Sequence, residues 1–311
     1  MSLPRASSLL ALAVILAACG GTTTSTSLPV ITPGATAVPA TQAPQATAPP
    51  VATPASTAAP APAINGERVS FKNGELTLGG LLWKPEGNGP FRTVVWNHGS
   101  EQLPGSPQGN PLVGTALVAQ GYVVFVPFRR GQGTSQGTWI DTALKAVPVA
   151  ERPALLAKLH TTEQLSDQLA GLAYIKSQAY VDPTKIAVAG WSFGGIQTVL
   201  GAGDASAGYV AAVAFTPASQ SWDGNPDLQA ALLTAAKAAT VPFLFIQAEN
   251  DYSLVPTQEL TDAIVADEGT ASRSIYPAFG STAQDGHEFA VRGTDQWIPE
   301  VVTFLNAAFG A

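Results

Sequence analysis

Two serines in this sequence lie at the centre of a pattern that can make a serine hydroxyl a nucleophile. The segment AGWSFGG holds Ser192 in a G-x-S-x-G match, and the segment RGQGTSQG holds Ser135 in a second match. Because the chain has 30 glycines, the spacing alone does not choose between them. The chemistry requires a hydroxyl raised at the carboxyl end of a strand, where a tight turn passes directly into a helix.

Only one of the two serines has this setting. Ser192 follows the apolar segment KIAVA, which reads as a buried strand, and the segment after it can start a helix at once. Six residues separate Ser135 from the apolar run YVVFVPF, and no helical pattern follows it directly. We therefore predict that Ser192 is the nucleophile and that Ser135 lies in a glycine-rich loop at the edge of a sheet.

A serine hydroxyl is a weak nucleophile until a base removes its proton, and histidine is the usual base. The chain has three histidines. His287, in QDGHEF between the last predicted strand and the last predicted helix, is the expected base. His98 directly follows a strand, so we expect it to support a turn, and His160 is expected to be a surface or lid residue.

The base needs a carboxylate that holds its tautomer and stabilises its charge. Asp251 follows a buried strand and lies between Ser192 and His287 in the chain, so we predict that it has this role. Glu249 is the alternative, although its position nearer the strand end suits it better to supporting the turn. Two further acidic residues, Asp223 and Asp227, are weaker candidates because they precede a helix.

The negative charge that develops on an attacked carbonyl oxygen needs two backbone N–H donors. We expect one from Phe193, directly after the predicted nucleophile, where a helix N-terminus adds partial positive charge. The second is expected from Ser100 in the segment NHGSEQ, with Glu101 as the alternative donor.

The elements that must position these residues alternate between strand-like and helix-like segments. Eight predicted strands and their intervening helices indicate an α/β fold: a mostly parallel sheet with helices on both faces, opened by an antiparallel N-terminal hairpin. A segment at about residues 139–160 interrupts the alternation and is predicted to form a small helical cap. Its Leu, Val and Ala residues would favour hydrophobic acyl groups.

The N-terminal part of the chain has a different composition. Residues 1–18 contain a basic residue and a short apolar run, as in a secretory signal. Residues 19–63 are almost wholly Thr, Pro, Ala, Ser and Gln after Cys19, which predicts a disordered tether. Residues 64–311 are long enough for one large domain. The segment LAAC is similar to a bacterial lipoprotein box, which implies a lipid on Cys19 and a location on the outer face of a cell membrane.

Charge and the remaining residue types exclude several partners. The formal net charge is −7, and no run of Lys or Arg offers a surface for nucleic acid. Three scattered histidines and one cysteine predict neither a metal site nor a cofactor. No obligate protein partner is evident, so the expected partners are a small ester substrate and the membrane.

The chain resembles the α/β-hydrolases, and more narrowly the dienelactone hydrolase family, over nearly all of residues 66–309. The segments NHGSE, FRRGQGTSQG, GWSFGGIQT, IQAENDYSLVP and DGHEF each resemble a family block. The resemblance implies an α/β-hydrolase fold and a Ser192, Asp251 and His287 triad. In dienelactone hydrolase proper the nucleophile is a cysteine, so lactone hydrolysis is not implied in particular.

Three functions are compatible with these residues. The leading hypothesis is a secreted, lipid-anchored serine hydrolase that cleaves small ester bonds. GWSFGG is also similar to relatives of prolyl oligopeptidase, which makes an exopeptidase or amidase the second hypothesis; it would need an anchor for a substrate amino terminus, and Glu101 is the candidate. The third hypothesis is a non-catalytic surface binding protein on a hydrolase fold, against which an intact triad argues.

Overall fold

The computed structural model describes residues 66–100 and 110–310, and its first element is the predicted hairpin. β1 (Glu67–Asn73) pairs antiparallel with β2 (Leu76–Trp83). The turn between these strands contains Gly74 at a φ of 54°. Glycine adopts this left-handed conformation without the steric cost that a Cβ would add, which is why the Asn-Gly dipeptide closes the hairpin.

The other strands are β3 Phe91–Asn97, β4 Val123–Pro127, β5 Val181–Trp191, β6 Ala212–Phe215, β7 Phe243–Ala248 and β8 Ala271–Tyr276. They complete one eight-stranded sheet in the order β1-β2-β4-β3-β5-β6-β7-β8. β2 pairs antiparallel with β4, and every pairing from β4 to β8 is parallel. The predicted eight-stranded, mostly parallel sheet is therefore confirmed.

Helices cover the sheet from both sides. Ten α-helices are found in the described residues: α1 Pro111–Val118, α2 Ile140–Lys145, α3 Arg152–Leu159, α4 Leu165–Lys176, α5 Phe193–Ala202, α6 Pro226–Ala238, α7 Val255–Ala266, α8 Ala283–His287, α9 Phe289–Arg292 and α10 Thr294–Phe309.

Two apolar cores lie on opposite faces of the sheet. Successive strand residues point to opposite faces, so Val95 joins the core formed with α4 to α7, whereas Val94 joins the core formed with α1 and α10. Ala187 and Val188 divide between the same two cores. Because both faces are covered, each central strand is a continuous apolar run rather than an alternating one.

The insertion after β4 is helical, as predicted, but it is not separated from the following helix. It contains α2, a 3₁₀ turn at Val149–Glu151 and α3, and α3 continues through a π-helical turn at His160–Gln164 into α4. The sequence between α3 and α4 contains neither Gly nor Pro, so nothing in it stops a helix. The cap and the helix that packs on the sheet are thus one continuous helical segment.

No helix within residues 66–100 or 110–310 has both the length and the apolar character that crossing a bilayer requires. The predicted signal, Cys19 and the tether lie outside the described residues.

Candidate active site

Ser192 occupies a strained turn between β5 and α5. Its backbone has a φ of 58° and a ψ of −115°, a conformation that L-residues rarely adopt and that costs about 1 to 3 kcal/mol. A Cβ on Gly190 would overlap the backbone of Gly194, and a Cβ on Gly194 would overlap the carbonyl of Asn97. Both glycines of the pattern are therefore required by close backbone packing at the end of β5.

The three residues that the sequence singled out lie in one hydrogen-bonded series. Ser192 Oγ is 2.9 Å from His287 Nε2, and His287 Nδ1 is 3.0 Å from Asp251 Oδ1. His287 lies at the end of the short helix α8 and is buried, rather than in a surface loop. Trp191 Nε1 donates to the backbone carbonyl of His287 at 2.6 Å, which ties the base to the residue before the serine.

The Asp251 carboxylate is held by several donors. Gln247 Nε2 donates to Oδ2 at 2.7 Å, and the backbone N–H of Tyr252 donates to Oδ1 at 2.6 Å. Ser219 Oγ donates to Oδ1 at 3.2 Å and lies 3.1 Å from His287 Nδ1. A buried carboxylate with this number of donors is held in one orientation.

The alternative residues lie elsewhere. Glu249 is exposed, and its backbone N–H bonds to the carbonyl of Tyr276 at the sheet edge. Asp223 and Asp227 are exposed as well. Ser135 is in a turn after β4, where its hydroxyl accepts from Gly79 N–H and donates to the carbonyl of Phe128, both at 2.9 Å. The second G-x-S-x-G match therefore connects backbone segments and does not face His287.

The two expected oxyanion donors lie around the same cavity as Ser192. Phe193 is the first residue of α5, and the first N–H groups of a helix have no acceptor within that helix. Ser100 follows Gly99 after β3 and lines the same cavity as Ser192 and Phe193. Glu101, the alternative donor and the proposed amino-terminus anchor, lies outside the described residues.

Arg129 connects these two donor segments and was missed at the sequence level. Its guanidinium donates to the carbonyl of His98 at 2.8 Å and to that of Gly99 at 2.7 Å. The same guanidinium lies 4.1 Å from the centre of the Phe193 ring. His98 therefore supports the turn through its backbone, and Arg129 holds that turn against the start of α5. An arginine directly after the apolar β4 run was the available signal.

We expect Arg129→Lys to lower kcat by about 10- to 100-fold with a smaller change in KM. A lysine keeps the charge but cannot bond two carbonyls and stack on a ring at once, and displacing one oxyanion donor typically costs at least 100-fold. Steady-state kinetics on a p-nitrophenyl ester measure the split between kcat and KM. Arg130→Lys is the matched control.

Arg130 bonds to both carboxylate oxygens of the buried Asp167, away from the cavity. Its replacement should lower the free energy of unfolding while kcat stays within about twofold. An Arg129→Lys enzyme that loses only thermal stability would show that Arg129 does not position the donors.

His160 lies in the cap, as the lid alternative predicted, but not on the surface. Only 1% of it is exposed, it lies in the π-helical turn of the cap, and its ring is 4.0 Å from that of Phe193. Burial, with a smaller contribution from the charge of Arg129, lowers the pKa of His160 to about 3. The prediction of a surface position is wrong because α3 continues inward instead of ending.

The cavity in front of Ser192 has a volume of about 380 Å³, the size of a small-molecule site. The cap supplies an apolar wall, and buried polar side chains from the sheet side face it. The lining residues are Ser100, Arg129, Gln132, Trp139, Ile140, Asp141, Leu144, Leu156, His160, Ser192, Phe193, Gln220 and Ser221. Among the described residues, no three His, Cys, Asp or Glu side chains are grouped to hold a metal.

The sheet order, the strained serine turn and the position of His287 after β8 define an α/β-hydrolase. More narrowly, the chain belongs to the dienelactone hydrolase family, because the model of that family matches residues 104–307, about two thirds of the sequence. Membership in this family supports a hydrolase activity for the chain.

Solved structures share the fold at low sequence identity. Esterase B from Lactobacillus rhamnosis superposes with a TM-score of 0.57 at 17% identity, over 78% of this chain and 86% of the esterase. A Pyrococcus furiosus esterase superposes with a TM-score of 0.56 at 16% identity, over 78% of this chain and 92% of the esterase. Dipeptidyl peptidase 4 from Porphyromonas gingivalis superposes with a TM-score of 0.55 at 20% identity, over 77% of this chain and 35% of the peptidase. The chain thus spans about a third of that peptidase.

Proposed function

We propose that this chain is a serine hydrolase that cleaves small carboxylic or lactone-like esters through an acyl-enzyme. The observation that carries the proposal is the series from Ser192 Oγ through His287 to Asp251, with separations of 2.9 and 3.0 Å. Distances of this size allow a proton to pass from the hydroxyl to the imidazole as the hydroxyl attacks. The 380 Å³ cavity beside Ser192 accepts a small ester.

In the acylation step, Ser192 Oγ attacks the ester carbonyl carbon while His287 Nε2 removes the hydroxyl proton. Asp251 stabilises the imidazolium and keeps the proton of the neutral ring on Nδ1. The carbonyl oxygen becomes an oxyanion that accepts from the N–H groups of Phe193 and Ser100. The C–O bond to the alcohol then breaks, and His287 gives its proton to the leaving oxygen.

The deacylation step reverses these roles. His287 removes a proton from a water molecule, the hydroxide forms a bond to the acyl carbon, and the bond from that carbon to Ser192 Oγ breaks. The same two N–H groups accept the second oxyanion. His287 returns the proton to Ser192 Oγ, and the carboxylic acid product leaves.

We also propose that the site prefers esters over peptides. An exopeptidase needs a carboxylate that binds the substrate amino group, and the acidic residue in the described cavity lining is Asp141. Asp141 already forms an ion pair with Lys145 one helical turn away. Its charge is therefore engaged within the cap.

The test compares p-nitrophenyl esters with aminoacyl p-nitroanilides of similar size. We expect kcat/KM to be at least about 1000-fold higher for the esters, because the acidic residue in the described lining, Asp141, is already paired with Lys145. On the anilides, the wild type should be no faster than the Ser192→Ala protein. Faster anilide cleavage would instead support an exopeptidase.

The membrane anchor is a separate proposal that rests on LAAC and Cys19. We expect wild-type protein in the producing bacterium to sediment with membranes and Cys19→Ser protein to remain in the soluble fraction. A lipid on Cys19 is the reason, since it adds apolar surface that partitions into a bilayer. An unchanged membrane fraction for Cys19→Ser would contradict the anchor, and equal esterase activity of both proteins is the control for folding.

A further inference from the structure

The cap contributes two polar side chains to the cavity wall: Asp141, which is paired with Lys145, and His160, which lies beside the apolar Leu156. α3 presents Leu156 to the cavity, and the π-helical turn that follows presents His160. A π-helical turn inserts an extra residue into a helix and changes the direction in which side chains point, and such turns are frequent at functional sites. The triad does not use this histidine, so its burial needs another explanation.

The contacts of His160 determine which ring nitrogen carries the proton. Gln197 Nε2 lies 3.2 Å from the backbone carbonyl of His160 and 3.0 Å from its Nδ1. A carbonyl oxygen can only accept, so the Gln197 amide must present its N–H groups to both atoms. Nδ1 therefore accepts a hydrogen bond, and the proton of the neutral ring is on Nε2.

The ring stays in this form over the working range of any hydrolase. Burial next to Arg129 lowers the pKa of His160 to about 3, so the imidazole is neutral at any higher pH. Within the part of the chain that the structure describes, Nε2 contacts no acceptor. Gln197 occupies the Nδ1 edge, so the ring edge left to line the cavity carries the Nε2–H donor.

A second polar group faces the same space. Gln132 is only 4% exposed and lines the cavity, and its Oε1 has no hydrogen-bond partner among the described residues. An unpaired buried polar atom costs about 1 to 3 kcal/mol. The same cost would apply to the Nε2–H donor of His160 if a bound molecule covered it without supplying an acceptor.

The position of His287 shows which part of an ester would occupy the cavity. The leaving alcohol must lie against His287 Nε2 to receive its proton. His287 does not line the cavity, whereas the oxyanion residues Phe193 and Ser100 do. The cavity therefore lies on the acyl side of the reacting carbon.

We propose that His160 is a specificity-determining residue that selects esters whose acyl group carries an oxygen acceptor, such as an ether or hydroxyl oxygen. This inference rests on the proposed function. An alkyl chain would fit the apolar wall but would leave the Nε2–H donor buried without a partner. An oxygen at the matching chain position removes that cost.

The experiment uses pairs of p-nitrophenyl esters that differ by one CH₂ replaced by oxygen: butyrate and methoxyacetate, pentanoate and 3-methoxypropanoate, and hexanoate and 4-methoxybutanoate. Each kcat/KM is divided by the hydroxide hydrolysis rate of the same ester, which removes differences in intrinsic reactivity. We expect the wild type to prefer the ether ester about three- to tenfold at one chain position.

His160→Phe should remove this preference, because phenylalanine keeps a ring against Phe193 but has no donor. His160→Gln should keep part of it, since its amide restores an N–H donor. Leu156→Ala is the matched control from the same wall: it should change both members of a pair by the same factor, because Leu156 makes no hydrogen bond with its side chain.

The outcomes separate this inference from the proposed function. Ser192-dependent turnover of the alkyl esters without an ether preference at any position would overturn the inference alone, and this result needs no variant. An ether preference that survives in His160→Phe would also overturn it. A wild type without Ser192-dependent turnover of any ester would overturn the proposed function, and the inference with it.

Discussion

Ser192→Ala is expected to lower kcat on p-nitrophenyl esters by at least about 10⁴-fold while the protein remains folded. The hydroxyl that forms the acyl-enzyme is absent, and members of a triad act as one unit, so removing one loses most of the joint effect. Alanine adds no atom to the turn, so the packing of Gly190 and Gly194 is retained. Steady-state rates and thermal unfolding measure the two effects.

A fluorophosphonate probe gives a second, direct measurement. It forms a covalent bond with an activated serine, so wild-type protein should be labelled at Ser192 and the variant should not. Labelling also separates an enzyme from a non-catalytic binding protein on the same fold.

Ser135→Ala is the matched control, because Ser135 stands in the same G-x-S-x-G spacing. It should keep wild-type turnover and labelling and lose about 1 to 3 kcal/mol of unfolding free energy, since two backbone hydrogen bonds of its hydroxyl disappear. Near wild-type activity in Ser192→Ala would contradict the assignment of the nucleophile.

Asp251→Asn is expected to lower kcat by about 10³- to 10⁴-fold with little change in KM. A neutral amide does not stabilise the imidazolium that forms on His287, and its N–H face cannot accept the Nδ1 proton. Gln247 and the Tyr252 N–H donate to different carboxylate oxygens, and an amide has only one oxygen, so the loss should come from both the missing charge and the missing acceptor. The kcat of correctly folded protein is the measurement.

Glu249→Gln is the control for this prediction. Glu249 is exposed at the end of β7, two residues before Asp251, and its backbone bond to Tyr276 does not depend on its side chain. Its kcat should stay within about twofold of wild type. A larger loss in Glu249→Gln than in Asp251→Asn would assign the carboxylate role to Glu249.

Much of the fold was predictable because local patterns determine it. Continuous apolar runs indicated strands covered on both faces, and the Asn-Gly dipeptide indicated the hairpin. The order of Ser192, Asp251 and His287 along the chain, each at the end of a strand or shortly after one, predicted that they meet at one sheet edge. Their geometry agrees with that expectation, and their roles stay predictions that the substitutions test.

Other features were not predictable from local patterns. Ser219 lies beside His287 Nδ1 only because β6 and β7 are neighbours in the sheet. Arg129 reaches His98 and Phe193 because β3 lies between β4 and β5. None of these contacts has a signal in sequence spacing, since residues far apart in the chain make them.

The sequence by itself determined the class of fold and the composition of the chain before residue 64, and it predicted Ser192 rather than Ser135 as the nucleophile. These follow from periodicity, glycine spacing and residue type, which act over a few residues. Only the tertiary structure decided that His160 is buried and neutral in the cavity, and that Arg129 joins the two segments predicted to supply the oxyanion donors. Burial and hydrogen-bond partners depend on which segments pack together, and that packing is a property of the whole folded domain.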